Sequence, residues 1–301
     1  MRDRIVIFLF LCVFFAGCRS GNGSSEKIQF PYAEPPSLCS NPTEYVALHF
    51  WDRYFAECPE ISTIMLKEAF AKYAQVAGTI SLERGIEAQE QFIKHLASYQ
   101  PEKPEDSVWN TFISLQKAVF FSANSPLRNE DLYVPVAEYI AKSPLSSEEE
   151  RAQAESILPF IRLNGAGSKA ANFSITFANG TKRDLYSFDT EYIILMFSNV
   201  GCDACKNEIE KLQSVPLRKM VAEGRLSIIT VYPDEDIAEW RKNVADYPAE
   251  WCNGYDSNHT IISESLYYLR AIPSIYILDK DKRVLGKDVP AERIFSILLK
   301  D

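Results

Sequence analysis

The chain has 301 residues, 47% of them hydrophobic, and a net charge of −9 from 41 acidic and 32 basic side chains. That length accommodates two domains. The acidic balance argues against a nucleic-acid partner and against a polybasic membrane patch. No Ser/His/Asp set, carboxylate pair, Gly-rich phosphate loop, low-complexity tract or clear repeat stands out.

The chain opens on basic Met1-Arg-Asp-Arg4, followed by an apolar run from Ile5 to Phe15 and then Ala16-Gly17-Cys18. The run is short for a bilayer and reads as a signal peptide over residues 1–17. Cysteine directly after Ala-Gly resembles a bacterial lipobox, although Phe15 departs from the usual Leu. The resemblance implies cleavage before Cys18, lipidation of that thiol and attachment to a membrane. Ordinary secretion and an uncleaved anchor are the alternatives, and all three place the folded part outside the cytoplasm. Residues 18–30, rich in Gly, Ser and Asn, form a flexible tether. Arg19 stands where the usual enterobacterial rule needs Asp for inner-membrane retention, and no acidic cluster follows. The expectation is a periplasm-facing lipoprotein of the cell envelope, in the outer membrane.

Residues 31–161 carry apolar positions at helical spacing and read as an all-α domain. The expected helices are Thr43–Glu57, Ile61–Ala77, Leu82–Ser98, Ser107–Ser122, Asn129–Ala141 and Ser146–Ile161. Asn41-Pro42-Thr43 and Ser146-Ser147-Glu148 have the character of helix starts. Cys39 and Cys58 are free to pair in an oxidising compartment or to stay as two buried thiols. His49, His95 and His259 are read as structural.

Residues 163–301 alternate strands with helices. Strands are expected at Tyr192–Phe197, Leu226–Val231, Trp251–Tyr255 and Ser274–Asp279, with Val284-Leu285 as a hairpin partner. Helices are expected at Lys206–Leu212, Asp234–Asp246, Thr260–Leu269 and Pro290–Leu299. The alternation predicts an α/β fold on a mainly parallel sheet, made mixed by the terminal hairpin.

Cys202-Asp203-Ala204-Cys205 lies where the first of these strands turns into a helix. Orphan N–H groups and the helix dipole favour negative charge there, so the first thiol becomes a reactive thiolate. Cys202 is the candidate nucleophile. Cys205, one turn in and facing the core, is the candidate resolving thiol, and the two together make a redox-active disulfide. Asp203 opposes the thiolate, which points to a reducing or near-neutral couple. A structural disulfide is one alternative. Half of a zinc site is another, but no second Cys-x-x-Cys or His-x-x-x-His completes it. No metal or organic cofactor is implied.

Strand, Cys-x-x-Cys and helix, then Ala271-Ile272-Pro273-Ser274 before a strand and an Asp-containing hairpin, resemble a thioredoxin fold. Cys202 to Glu208 reads Cys-x-x-Cys-x-x-Glu, which is similar to the membrane-tethered TlpA/ResA-like branch. Asn164–Phe173 and Gly180 to Tyr186 resemble the N-terminal hairpin of that branch. The resemblance covers about 163–301. It implies a cis Pro273 against the dithiol, with the Ile272 backbone and Gly201 beside the substrate. It also implies a carboxylate role for Glu208, whose alternative is a solvated first-turn residue. Gly201 replaces a common Trp, and Met196 stands where a buried acid is frequent. Tyr45 to Asp52 resembles the opening of a helical domain of unknown function that precedes thioredoxin-like domains in Bacteroidota lipoproteins.

Two functions compete. One is a thiol–disulfide oxidoreductase acting on protein disulfides and reset by a periplasmic or membrane redox partner. The other is a non-catalytic binding module that uses the thioredoxin fold as scaffold and the helical domain to bind a partner. Exposure of Cys202 discriminates between them. Peroxidase chemistry on the same fold is disfavoured by the paired cysteines.

Overall fold

The computed structural model describes residues 30–57, 61–99 and 108–298. Seven α-helices among them come first: α1 Pro42–His49, α2 Asp52–Glu57, α3 Thr63–Thr79, α4 Leu82–Ser98, α5 Val108–Gln116, α6 Glu130–Lys142 and α7 Glu148–Ile161. Side chains close the N-termini of most of them. Ser62 accepts from the Met65 N–H, Ser81 from Arg84 and Asn129 from Leu132, while Ser147 and Glu150 form a capping box. The expected Thr43–Glu57 helix is broken at Phe50-Trp51, where the chain turns both rings into the core. The expected Ser107–Ser122 helix ends as a π-helical turn over Lys117–Phe121.

The helical core is aromatic. Trp51 packs edge-on to Phe112 at 5.0 Å between ring centres, and Phe70, Tyr73, Phe92 and Phe120 surround them. Edge-to-face contacts of this kind add about 0.5–1.5 kcal/mol each beyond area burial. One polar group is sunk in this core. The amides of Gln89 and Gln116 bond reciprocally at 2.9 Å, and Tyr73 donates its hydroxyl to Gln89 Oε1 at 3.0 Å. Burial pushes the Tyr73 phenol pKa well up, so it remains a donor.

The second half is a seven-stranded sheet: β1 Ser174–Phe177, β2 Lys182–Asp184, β3 Tyr192–Phe197, β4 Leu226–Tyr232, β5 Cys252–Tyr255, β6 Ser274–Asp279 and β7 Val284–Gly286. The spatial order is β2-β1-β5-β4-β3-β6-β7. Only β3–β4 and β4–β5 are parallel, and the other four ladders are antiparallel. The sheet is mixed, as expected, but its ladders are mostly antiparallel, since the N-terminal hairpin adds two antiparallel ladders of its own.

All six residues of β3 are buried. The strand period sends Tyr192, Ile194 and Met196 to one face and Ile193, Leu195 and Phe197 to the other. The first face packs on α8 Asp203–Leu212, α9 Val215–Ala222 and α12 Ala291–Leu298. The second packs on Phe173, Leu185, Phe188, Ile261 and Tyr267. Each such side chain contributes roughly 1.5–3 kcal/mol by leaving water. Gly254 is required where β5 meets β1, because a Cβ there would stand 2.9 Å from the Thr176 carbonyl oxygen.

Two helices differ from expectation. The Thr260–Leu269 segment is helical only over α11 Thr260–Ser263, where a left-handed Ser265 (φ 52°) ends the turn. The Asp234–Asp246 segment is α-helical over α10 Ile237–Asn243 and closes in a 3-10 turn. No helix among the described residues is long and apolar enough to cross a membrane.

The two halves meet through charged groups. Arg128 holds Asp288 with two nitrogens, at 2.7 and 3.1 Å. Arg270 and Lys287 both pair with Glu130, and the Lys287 ammonium donates to the Ile161 carbonyl at 2.7 Å.

Candidate functional site

Past the end of β3 the chain reverses through Gly201, whose φ of +70° is a left-handed conformation that favours glycine. This explains the missing Trp: a side chain would have open space at Gly201 but a strained backbone. Cys202 then caps α8, and its sulfur accepts the Cys205 backbone N–H at 3.1 Å. The sulfur thus sits at the positive end of the helix, which favours its thiolate once reduced.

Cys202 and Cys205 are joined in a disulfide with a Cα–Cα separation of 5.2 Å. Cys205 is only 1% exposed, whereas Cys202 is half-buried and open to one side. The Ile272–Pro273 peptide is cis, and the Ile272 carbonyl oxygen lies 3.9 Å from the Cys202 sulfur. Four of the residues singled out from sequence are therefore brought together: Cys202, Cys205, Ile272 and Pro273.

Other expected participants are placed differently. The Asp203 side chain is 94% exposed and 3.7 Å from Lys206, so water weakens its opposition to the thiolate. Met196 packs in the same apolar cluster as both cysteines, which gives Cys205 an apolar floor. Glu208 has both carboxylate oxygens engaged. One accepts from Lys211 at 2.6 Å, and the other accepts the Ala291 backbone N–H at 2.6 Å, at the start of α12. It is thus a buttress between α8 and α12 rather than a solvated first-turn residue. Lys211 also meets Glu292 at 2.7 Å, and the two carboxylates raise its pKa above the usual lysine value.

The remaining cysteines and histidines lie apart. Cys252 packs on the face of the sheet opposite Cys205, and burial pushes its thiol pKa up. Cys39 is free, while Cys58 and the expected lipidation residue Cys18 fall outside the described residues. His49 bonds Asp52 at 2.7 Å, and His95 lies 3.6 Å from the same carboxylate. His259 precedes α11 in a left-handed conformation. Among the described residues no group of three or more His, Cys, Asp and Glu could hold a metal ion.

Two hollows flank the dithiol. One of about 270 Å³ is lined by Gly201, Cys202, Cys205, Asn243 and Tyr247. The other, of about 340 Å³, lies on the cis-proline side and is shared between the two halves of the molecule. Tyr247 and the Ala123–Arg128 wall of the shared cleft carry no local sequence signal, because their partners are far away in the chain.

A family model described as a domain of unknown function (DUF5106) matches residues 18–164. Comparison with curated proteins gives no match. Among solved structures, a thioredoxin-like protein from Bacteroides caccae is 32% identical over 90% of this chain and 99% of its own, with a TM-score of 0.75. The C-terminal domain of an uncharacterized protein from Bacteroides fragilis is 42% identical over 46% of this chain and 99% of its own, at a TM-score of 0.45. A domain of a possible thiol-disulfide isomerase from Cytophaga hutchinsonii is 28% identical over 45% of this chain and 91% of its own, at 0.38. A dithiol at a helix cap beside a cis proline, together with a 32% identical relative matched over nearly its whole length, makes this chain a member of the thioredoxin-like proteins.

Proposed function

We propose that this protein is a lipid-anchored, extracytoplasmic thiol–disulfide oxidoreductase of the TlpA/ResA-like kind, working in the reducing direction. The observation that carries the reading is the position of Cys202: capping a helix, half-buried, and open to a hollow that it shares with Cys205. A scaffold without exchange chemistry has no need of that opening.

The reaction balances on two sulfurs. The Cys202 thiolate attacks one sulfur of a client disulfide, a Cys202–client bond forms, and the second client sulfur leaves as a thiolate. Cys205 loses its proton to water and attacks Cys202. The mixed disulfide breaks, the first client sulfur leaves, and the Cys202–Cys205 disulfide remains. Two electrons pass to the client, and a dithiol donor in the envelope must return them. The Ile272 backbone and Gly201 border the client. Glu208, with both oxygens occupied, positions α12 against α8.

The reducing direction rests on the modest support for the Cys202 thiolate. It has one backbone N–H and the helix end, and no histidine lies in the motif. Strong oxidants stabilise their reduced form far more. Equilibration of the full chain in thiol buffers is the test. A two-electron couple at about −270 mV that is lost in Cys202→Ser supports a reductase, and one at about −120 mV would make it an oxidant. No couple at all would sink the enzyme reading. Incorporation of labelled fatty acid into wild type but not Cys18→Ser tests the anchor.

A further inference from the structure

The cleft of about 340 Å³ beside the cis proline has walls from both domains. The Ala123–Arg128 segment of the helical domain forms one wall. Ala204, Asn207, Ile272 and Pro273 belong to the other. We propose that this shared cleft holds an extended polypeptide segment of the client next to its disulfide, so that the helical domain is a specificity element of the exchange reaction. The inference rests on the oxidoreductase reading above.

The helical wall is preorganised. Ser125 and Arg128 donate their backbone N–H groups to the Ser122 and Ser125 carbonyls, making two successive turns. The Ser125 hydroxyl donates to the Val119 carbonyl at 2.6 Å, and the Asn129 N–H returns to Phe120 at 2.9 Å. Arg128 then fastens the segment to the catalytic half. It holds Asp288 and also reaches the Pro273 carbonyl, at 3.4 Å. Preorganisation of this kind spares a ligand the cost of ordering the wall.

The chemistry of the walls fits a peptide rather than a charged small molecule. Arg128 is neutralised by Asp288, and Glu208 and Lys211 neutralise each other. The other lining groups are mainly small or uncharged. Asn124 and Asn207 line the cleft from its two walls, and both are exposed. Neither side-chain amide has a hydrogen-bond partner among the described residues. An amide offers both a donor and an acceptor, matching the N–H and C=O of a peptide backbone. Small walls with free amides admit an extended chain and exclude a bulky folded surface.

The test compares two disulfides against the full chain in detergent. One is oxidised glutathione. The other is a ten-residue extended peptide carrying a single cysteine as its glutathione mixed disulfide. For each protein the ratio of the two second-order rate constants is measured. The ratio should fall at least tenfold in Asn124→Trp, which fills the cleft from an exposed turn. It should fall about threefold in Asn124→Ala and in Asn207→Ala, each of which removes one neutral hydrogen bond. An unchanged ratio in Asn124→Trp would overturn the inference while leaving the oxidoreductase reading intact. Wild-type protein that exchanges with neither disulfide would overturn both.

Discussion

Glu130 and Lys287 meet at 2.7 Å across the junction of the two halves, with 3% and 1% of their side chains exposed. Arg270 approaches the same carboxylate at 2.6 Å and lies over the Phe121 ring. Two cations thus converge on one buried anion. Removing one member of a buried ionic group leaves charge without compensation, a loss of about 3–5 kcal/mol. Glu130→Gln should lower stability by that amount in urea unfolding. An unchanged midpoint would mean that the junction adds nothing to the fold.

The Cys202 thiolate gives a second expectation. Its sulfur accepts the Cys205 N–H at a helix terminus, so in the reduced protein it should titrate below the ~8.5 of a free thiol. Alkylation speeds up as pH rises through that pKa, because only the thiolate reacts. The midpoint of the iodoacetamide rate against pH should therefore lie below about 8.5. Asp203→Asn should lower it only slightly, since this carboxylate is 94% exposed and screened by water. A midpoint at or above the free-thiol value would show that the helix end does not activate Cys202.

How far these features could be read from sequence depended on how local their causes are. Tyr192–Phe197 and Leu82–Ser98 were legible to the residue, because one is an unbroken apolar run and the other has a serine cap and a regular apolar face. The dithiol and the cis proline were legible through motif and order. α9 was missed: its first turn is Val215-Pro216, and only Leu217 and Met220 are buried. The Thr260–Leu269 helix was overestimated because nothing local announces a left-handed Ser265. Arg128, Glu130, Arg270, Lys287 and Asp288 carried no signal at all. Their partners lie more than a hundred residues away, and only the docked fold gives them meaning.

Cys252 offers a contrast with Cys202. It packs on the sheet face opposite the dithiol, and burial raises its pKa. At pH 8 it should be alkylated more slowly than a free cysteine, and Cys252→Ala should leave the dithiol potential where it was. Mass mapping of alkylated peptides reads the first, and thiol-buffer titration the second. A shifted potential in Cys252→Ala would bring this third thiol into the redox couple.

Glu208 can be separated into a structural and a chemical role. One oxygen accepts the Ala291 N–H and the other the Lys211 ammonium, at 2.6 Å each, so the carboxylate ties the dithiol helix to α12. Glu208→Ala leaves a backbone donor at a helix start without its acceptor, at about 1–3 kcal/mol. Glu208→Gln keeps an acceptor for that N–H and gives up only the charge. Urea midpoints should therefore fall in Ala and recover most of the loss in Gln. Glutathione exchange measured on the same two proteins should follow those midpoints. Exchange that collapses in Gln while stability holds would show that the carboxylate itself handles the Cys205 proton. Relief of Cys205 would then run through Glu208 rather than through water above the apolar floor at Met196.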